Sequence, residues 1–587
     1  MYKKSCSIQA LVSIIVIQGC SSPLGDYSVE YRQHTIEDLL LDESRNTDVD
    51  SVMTLPSSTK TTVEESLAHR MEELAKITPS RDPLDWDSVV GFDLHLNEAV
   101  KTSLTINEAV SFAIENNLDI EIASLQPKIA NQSLISAEAA FDFVFGAGAS
   151  STRSRIPQQQ VVLPDGTPLS SSESSTDTFN ANAELVKKLY GGGTVTISSD
   201  LNETKNDGAG FNYSPDPAWQ SIGSVELSQP LLRNFGETVT LSQIKLAQIA
   251  QNQAKEDLIE AINTAVSETE KAYFDLGLQW KTLQVKLWLL EEGEAVVEVL
   301  RLRMGYDTGD ADYAQAAATV QQRRAEVISQ QSLVHRSSDA LKKLINTNTL
   351  PIESEEVIVP TGSITANQVS ISLRQAIVTA LERRPDLRKL AMTIDSESIN
   401  MKVADNALLP QLDMQAQMSF YGLGDTAGDG YQEVFDGDYL NYVLGLKFSV
   451  PLGNRAAKAM YQSSRLQQMS AVAAYKQAVQ QTLLDVKNAL RDIVTNNELI
   501  QANASYRIAQ TENMRALAVE EETMAGLTPT FLNLKLQTQV GVANARIAEF
   551  GSIVNYNKAI VSLNKAMGTT LDTHQVLVID ESPQTKQ

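Results

Sequence analysis

The sequence predicts a mainly α-helical chain with a membrane β-barrel, built as two tandem repeats of helix, strands, long helix and helix. Three observations predict it. INEAVSFAIENNLDI (106–120) returns without a gap as LRQAIVTALERRPDL (373–387), so one helical phrase opens two halves of the chain. Each half holds a very long tract with apolar residues at steps of 4, 3 or 7, the mark of a coiled-coil seam. Between phrase and tract lie segments that alternate apolar and polar residues at period two, which is strand.

The opening phrases align Ala109 with Ala376, Ala113 with Ala380, Glu115 with Glu382 and Asp119 with Asp386. Before them, residues 1–19 read as a secretory signal: Lys3 and Lys4, an apolar run over 10–17, then IQGC ending at Cys20. The run is too short to span a bilayer as a helix. Residues 20–100 are acidic and irregular, as in LLLDESRNTDVDSVM (39–53). They read as a mostly disordered tether with one short helix near 63–77.

Repeat one covers 101–348. A helix over 105–139 leads to a strand at 141–150, where Phe141, Phe143 and Phe145 alternate with Asp142, Val144 and Gly146. A hairpin over 179–201 turns on Gly191, Gly192 and Gly193. A further strand at 219–229 stops at Pro230. The long tract 237–304 carries the seam Leu258, Ile262, Ala265, Ala272, Leu276, Leu283, Leu287 and Leu290. A break, GYDTGDAD (305–312), precedes a return helix at 313–346. Residues 349–370 form a linker between the repeats.

Repeat two covers 371–571 in the same order. There is a helix at 372–406, strands at 411–420 and 439–450 stopping at Pro451, and a long tract at 455–524. A break at AGLTPT (525–530) leads to a return helix at 531–567, closed by Gly568. A tail, 572–587, ends the chain. In the strands, Leu412, Met414, Ala416, Met418 and Phe420 alternate with polar residues, and Leu440, Tyr442, Leu444, Leu446, Phe448 and Val450 alternate with Asn441, Val443, Gly445, Lys447 and Ser449. Their length suits membrane crossing, apolar outside and polar inside. Proline suits a chain leaving a sheet for a helix, and Pro230 and Pro451 stand at the same place in the two repeats.

The lengths set the assembly. A tract like 237–304 extends roughly 100 Å at 1.5 Å per residue. The two shorter helices of each repeat stack beside it, giving two antiparallel columns. Such seams need a partner, and several copies closing into a ring supply one.

Bulk composition excludes other classes. A net charge of −25 argues against nucleic acid as a partner. The two cysteines, Cys6 and Cys20, both precede the mature chain or begin it, and the five histidines are scattered. No metal site, no cofactor and no enzymatic site is expected. The tracts beyond the signal contain no apolar run of about 18 residues, so a membrane crossing requires a closed β-barrel.

On these residues, together with LSQPLLRNFG (227–236), SVPLGN (449–454) and NYNKAIVSLNKAMGTTL (555–571), the chain resembles the bacterial outer-membrane efflux proteins, the TolC-like channels. IQGC also resembles a lipobox, which implies lipidation of Cys20; Ser21 after it favours the outer membrane. The resemblance implies a homotrimer: a trimeric α-barrel tunnel in the periplasm continued by an outer-membrane β-barrel. It implies a periplasmic adaptor and an inner-membrane pump as partners, outer-membrane lipid around the barrel, and drug efflux or type I protein secretion. The helical tips form the closable entrance, at turns marked here by Gly305 and Gly526. Family tips carry Asp rings; the candidates are Asp307, Asp310 and Asp312, whereas the second tip has none, Asn533 falling opposite Asp312. Two strands per repeat give twelve per trimer, the expectation here. The hairpin at 179–201 would raise this to eighteen if it entered the membrane, or would extend the barrel rim. The rival readings are an exported soluble helical scaffold or periplasmic adaptor, and an enzyme on a helical frame.

Overall fold

The computed structural model describes residues 53–54, 61–77, 90–91, 94, 100–157, 159, 163–166, 173–207, 214–304, 309–362, 364, 366, 370–523 and 528–576. Repeat one runs through β1 (Lys101–Leu104), α1 (Ile106–Asn116), α2 (Leu118–Glu138), β2 (Phe143–Pro157), β3 (Glu173–Lys188), β4 (Thr194–Asp207), β5 (Ala218–Pro230), α3 (Ser242–Leu302) and α4 (Asp310–Ile345). The linker carries β6 (Val357–Pro360), and repeat two runs through α5 (Leu373–Arg383), α6 (Pro385–Asn406), β7 (Gln411–Gly424), α7 (Ala427–Asp436), β8 (Leu440–Ser449), α8 (Arg455–Thr523) and α9 (Pro529–Met567).

The opening phrase of each repeat forms two helices, which corrects the single helix expected over 105–139 and over 372–406. Asn117 and Arg384 are both extended, with ψ of 126° and 125°. Thr105 and Ser372 cap the first helices by accepting from Glu108 N and Gln375 N. The break receives the end of the return helix. α4 ends on Asn346 in the left-handed region, and its side chain donates to Asn116 O at 3.0 Å. Asn117 in turn donates to Leu344 O at 2.8 Å. α9 ends on left-handed Gly568, where a Cβ would stand 3.2 Å from the backbone of Arg383. Glycine therefore serves twice there, for its φ and for the close approach.

α3 and α8 hold 61 and 69 residues, about 90 and 100 Å at 1.5 Å per residue. α3 packs on α2 and α4 of its own repeat and on α6 and α9 of the other; α8 packs on α6 and α9. The helices thus form four columns in the order α2/α4, α3, α6/α9, α8. The expected seam is at the contact: Ile262, Ala265, Leu276 and Leu283 of α3 are buried. Leu276 and Leu283 share one cluster with Val327, Val334 and Leu341 of α4, and Ile262 and Ala265 share another with Val110 and Ile120 of α1 and α2. The parallel pair β1–β6 ties the repeats beside α3, where Trp280 Nε1 donates to Ile358 O at 2.8 Å. α4 starts three residues before the expected position, with Asp310 and Asp312 in its first turn, where acids complement the helix dipole.

The six long strands form one antiparallel sheet in the order β8–β7–β5–β4–β3–β2. The expectation of two strands per repeat is corrected here. The hairpin predicted at 179–201 is β3–β4, longer than expected, and it lies inside the sheet: β3 pairs with β2 and β4 with β5. Repeat one therefore supplies four strands and repeat two supplies two.

Within the segment read as a tether, the described pieces lie on the helical body. Met53–Thr54 pairs with Ser370–Ile371, Thr61 meets Ser505 at 2.7 Å, and Arg70 meets Glu512 at 2.7 Å. Short helices at Thr62–Ser66 and Met71–Lys76 stand where one helix was expected.

Candidate channel wall and entrance

The register shows why the sheet has two different faces. One row across all six strands reads Phe145, Leu185, Ile197, Val225, Met418, Tyr442. The next residue of each strand lies on the opposite face, where a row reads Gly146, Glu184, Ser198, Ser224, Ser419, Asn441. The apolar face has no cover in the chain at its outer strands: Phe145 is 70 % exposed, Leu444 76 % and Tyr442 80 %. Among the described residues, β2 and β8 have no further strand partner. An open edge on a large apolar face is unstable in water, and closure into a barrel in lipid removes both liabilities. Lys187, next to the helical end, stands 4.5 Å from the centre of the Phe143 ring and donates to Phe141 O.

α7 was not expected from the sequence. It lies on the apolar face at the end of the sheet remote from the long helices. Tyr431 hydroxyl meets Ser199 hydroxyl at 2.9 Å, and Val434 approaches Gly223. A Cβ on Gly422 would overlap the carbonyl oxygen of Gly430. The signal was a patch of small residues, Ser199, Ser221, Gly223 and Gly422, where the strands otherwise place large apolar ones.

Both strand-to-helix exits use the predicted prolines. Pro230 closes β5, opposite Asp413, and Pro451 follows β8. Each is followed by an Asn in the left-handed region, Asn234 (φ 66°) and Asn454 (φ 42°). These are pinned to one stretch of chain. Asn234 N donates to Asn406 Oδ1 at 2.7 Å, and Asn454 Nδ2 to Leu408 O at 3.1 Å.

At the opposite end of the columns, the first turn of α4 carries Asp310, which is exposed, and Asp312, which is half-buried. Gly305, Asp307 and Gly526 lie outside the described residues, as does Cys20. Above the tips an apolar cluster joins Val296, Leu300, Ala316, Leu532 and Leu536. Next to it is a residue that sequence reading missed, Arg323 of α4, 3 % exposed. Its guanidinium donates to Leu289 O of α3 at 2.7 Å, Leu536 O of α9 at 2.9 Å and Gln539 Oε1 at 3.0 Å. Gly293 leaves the space, since a Cβ there would stand 2.7 Å from Nη1. Burial pushes this guanidinium down to about 10. Its signal was legible: Arg323 occupies a seam position between Val320 and Val327.

Residues 376–569 match the family model of the outer membrane efflux protein. The chain is similar to the outer membrane efflux proteins. Solved structures extend the efflux-channel fold to both repeats. The Campylobacter jejuni CmeC outer membrane channel matches at 15 % identity over 82 % of this chain and 92 % of its own, with a TM-score of 0.58. The Neisseria gonorrhoeae MtrE outer membrane channel, in its open state, matches at 16 % over 79 % and 89 %, with a TM-score of 0.55. The Vibrio cholerae outer membrane protein VceC matches at 14 % over 79 % and 96 %, with a TM-score of 0.54. No curated protein matches. The fold is thus that of the outer membrane channels, with a helical wall and a β domain.

Proposed function

We propose that the protein is the outer-membrane exit duct of a tripartite efflux pump or a type I secretion system. It acts as a homotrimer and a passive conduit, opened at its helical tips by a periplasmic adaptor and an inner-membrane pump. The observation that carries this reading is the six-stranded sheet, apolar on one face and unpaired at both edges. Six strands alternate in direction, so β8 of one copy can continue antiparallel to β2 of the next. Three copies make eighteen strands, the upper of the two counts open to the sequence. At a strand spacing of about 4.8 Å and a tilt of about 40°, eighteen strands give a barrel roughly 36 Å across, against roughly 24 Å for twelve. Twelve helical columns spaced by about 9 Å close at roughly 35 Å. The wider barrel therefore continues the tunnel without a step.

A second observation supports ring closure by copies. The end column α2 exposes Leu118, Ile122, Leu125 and Ile129, a stripe at steps of 4, 3 and 4. The opposite end column, α8, exposes Leu466, Leu484 and Leu499. These are the faces that would meet between protomers. The rival soluble scaffold or adaptor leaves the apolar sheet face without a partner. Imaging of the detergent-purified particle should show threefold symmetry and a helical stem of about 100 Å; a monomer would overturn the proposal.

IQGC supports a lipid anchor at Cys20. Cys20→Ala should abolish palmitate incorporation, and normal incorporation would sink the anchor. For the entrance we take Asp307, Asp310 and Asp312. Three copies of this tip gather carboxylates within about a Debye length, 8 Å at physiological salt, and favour cations. The triple change to Asn should lower cation preference and block by multivalent cations in a planar bilayer. Unchanged selectivity and block would refute this role.

A further inference from the structure

Where α3 of repeat one meets α8 and α9 of repeat two, the wall holds a cavity of about 300 Å³. Its polar lining includes Lys281, Gln284, Arg507, Arg546 and Glu549. Three cations thus face one carboxylate, in a chain whose net charge is −25. The single carboxylate is already engaged: Glu549 accepts from Arg507 Nε at 2.6 Å. Lys281 donates to the buried side chain of Gln284 at 3.1 Å. Arg546 is left over. Its Nε is fully buried and has no hydrogen-bond partner among the described residues. Burial, and then the neighbouring Arg507, push its guanidinium down to about 10. A buried donor without an acceptor, on a cation whose neighbouring carboxylate, Glu549, is already bonded to Arg507, destabilises the fold unless something fills the place. The guanidinium fork fits the planar carboxylate and the tetrahedral phosphate alike.

We propose that this cavity binds a small oxyanion, phosphate or carboxylate, with Arg546 as its principal donor and Arg507 and Lys281 beside it. The cavity is large enough for such an ion and its waters. Lys281 belongs to the hairpin of repeat one and both arginines to that of repeat two. The bound ion therefore cross-links the two hairpins partway along the helical wall. The site lies within one chain and does not depend on the conduit reading.

The test is thermal unfolding of the purified full chain in detergent, at constant ionic strength, with chloride, inorganic phosphate or succinate. Phosphate also stabilises proteins non-specifically by exclusion from their surface, so the wild type is read against Arg546→Met. The wild type should gain several degrees in phosphate or succinate over chloride, with a saturating dose dependence. A shift with phosphate alone identifies phosphate as the ion, and one with succinate alone identifies a carboxylate. Arg546→Met should lose the saturable shift while unfolding in chloride no earlier than the wild type, since it no longer buries an unpaired cation. Lys281→Gln should keep the shift and raise its half-saturating concentration several-fold. Equal shifts in the wild type and Arg546→Met overturn the proposal, as does a wild type that responds to neither anion.

Discussion

Ile122→Asp combined with Ile129→Asp will leave the helices formed and the particle monomeric. The two residues lie one heptad apart on the exposed stripe of α2. Burying an aliphatic side chain contributes about 1.5–3 kcal/mol, and this seam would recur three times around a closed ring. A carboxylate at either place exchanges that gain for a desolvation cost of several kcal/mol. Two such changes per interface exceed what an apolar helix seam can absorb. The intrachain contacts of α2 with α3 stand on other positions, such as buried Ile120, so helix content should stay within a tenth of the wild type. Light scattering in detergent reads the outcome. A stable trimer in the double variant would place the stripe outside the protomer contact.

Arg323→Ala should destabilise the tip end of the helical wall by about 3–5 kcal/mol. The change removes three bonds from a charged donor, to Leu289 O, Leu536 O and Gln539 Oε1, each worth about 1.5–3 kcal/mol. It also opens a cavity beside Gly293, which adds a packing loss. These losses are not additive, and the stated range allows for that. The effect should be local, because Arg323 joins α3, α4 and α9 at one level. Hydrogen exchange should accelerate at the end of α3 and the starts of α4 and α9, and stay unchanged in the β-sheet. Arg323→Lys should rescue little, since one ammonium cannot replace a fork that reaches three acceptors on two helices. Equal exchange in the variant and the wild type would show that the three bonds hold nothing that the apolar cluster of Val296, Leu300 and Leu536 does not.

Much of the wall was legible because it is written in local periods. The seam Ile262, Ala265, Leu276, Leu283 could be read at heptad steps, and those residues are the buried ones. The alternation Leu412, Met414, Ala416, Met418 could be read at period two, and it lies on one face of β7 in register with β8. The entrance was less legible. Asp310 and Asp312 were read as members of a turn, yet they open a helix. Arg323 stood inside a heptad seam, where a charged residue marks a partner, but its acceptors lie far along the chain.

What the sequence by itself determined is the kind and order of the elements: two repeats, each with an opening helix, membrane-length strands and a long hairpin. Helix and strand periods follow from the backbone of each segment and from which side of it must leave water, so they can be read one segment at a time. Tertiary structure alone decided which segments are neighbours. The chain carries nothing within the hairpin of β3 and β4 that tells a rim extension from two barrel strands. That follows only from the ladders with β2 and β5, which bring Leu185 and Ile197 into one apolar row with Phe145 and Val225. In the same way, the breaks at Asn117 and Arg384 have no glycine to announce them. Their local marks are the capping side chain of Asn117 and Pro385 after Arg384, whereas the docking of the left-handed ends of α4 and α9, Asn346 and Gly568, against those backbones is a contact between distant segments and is decided by the packing of the whole wall.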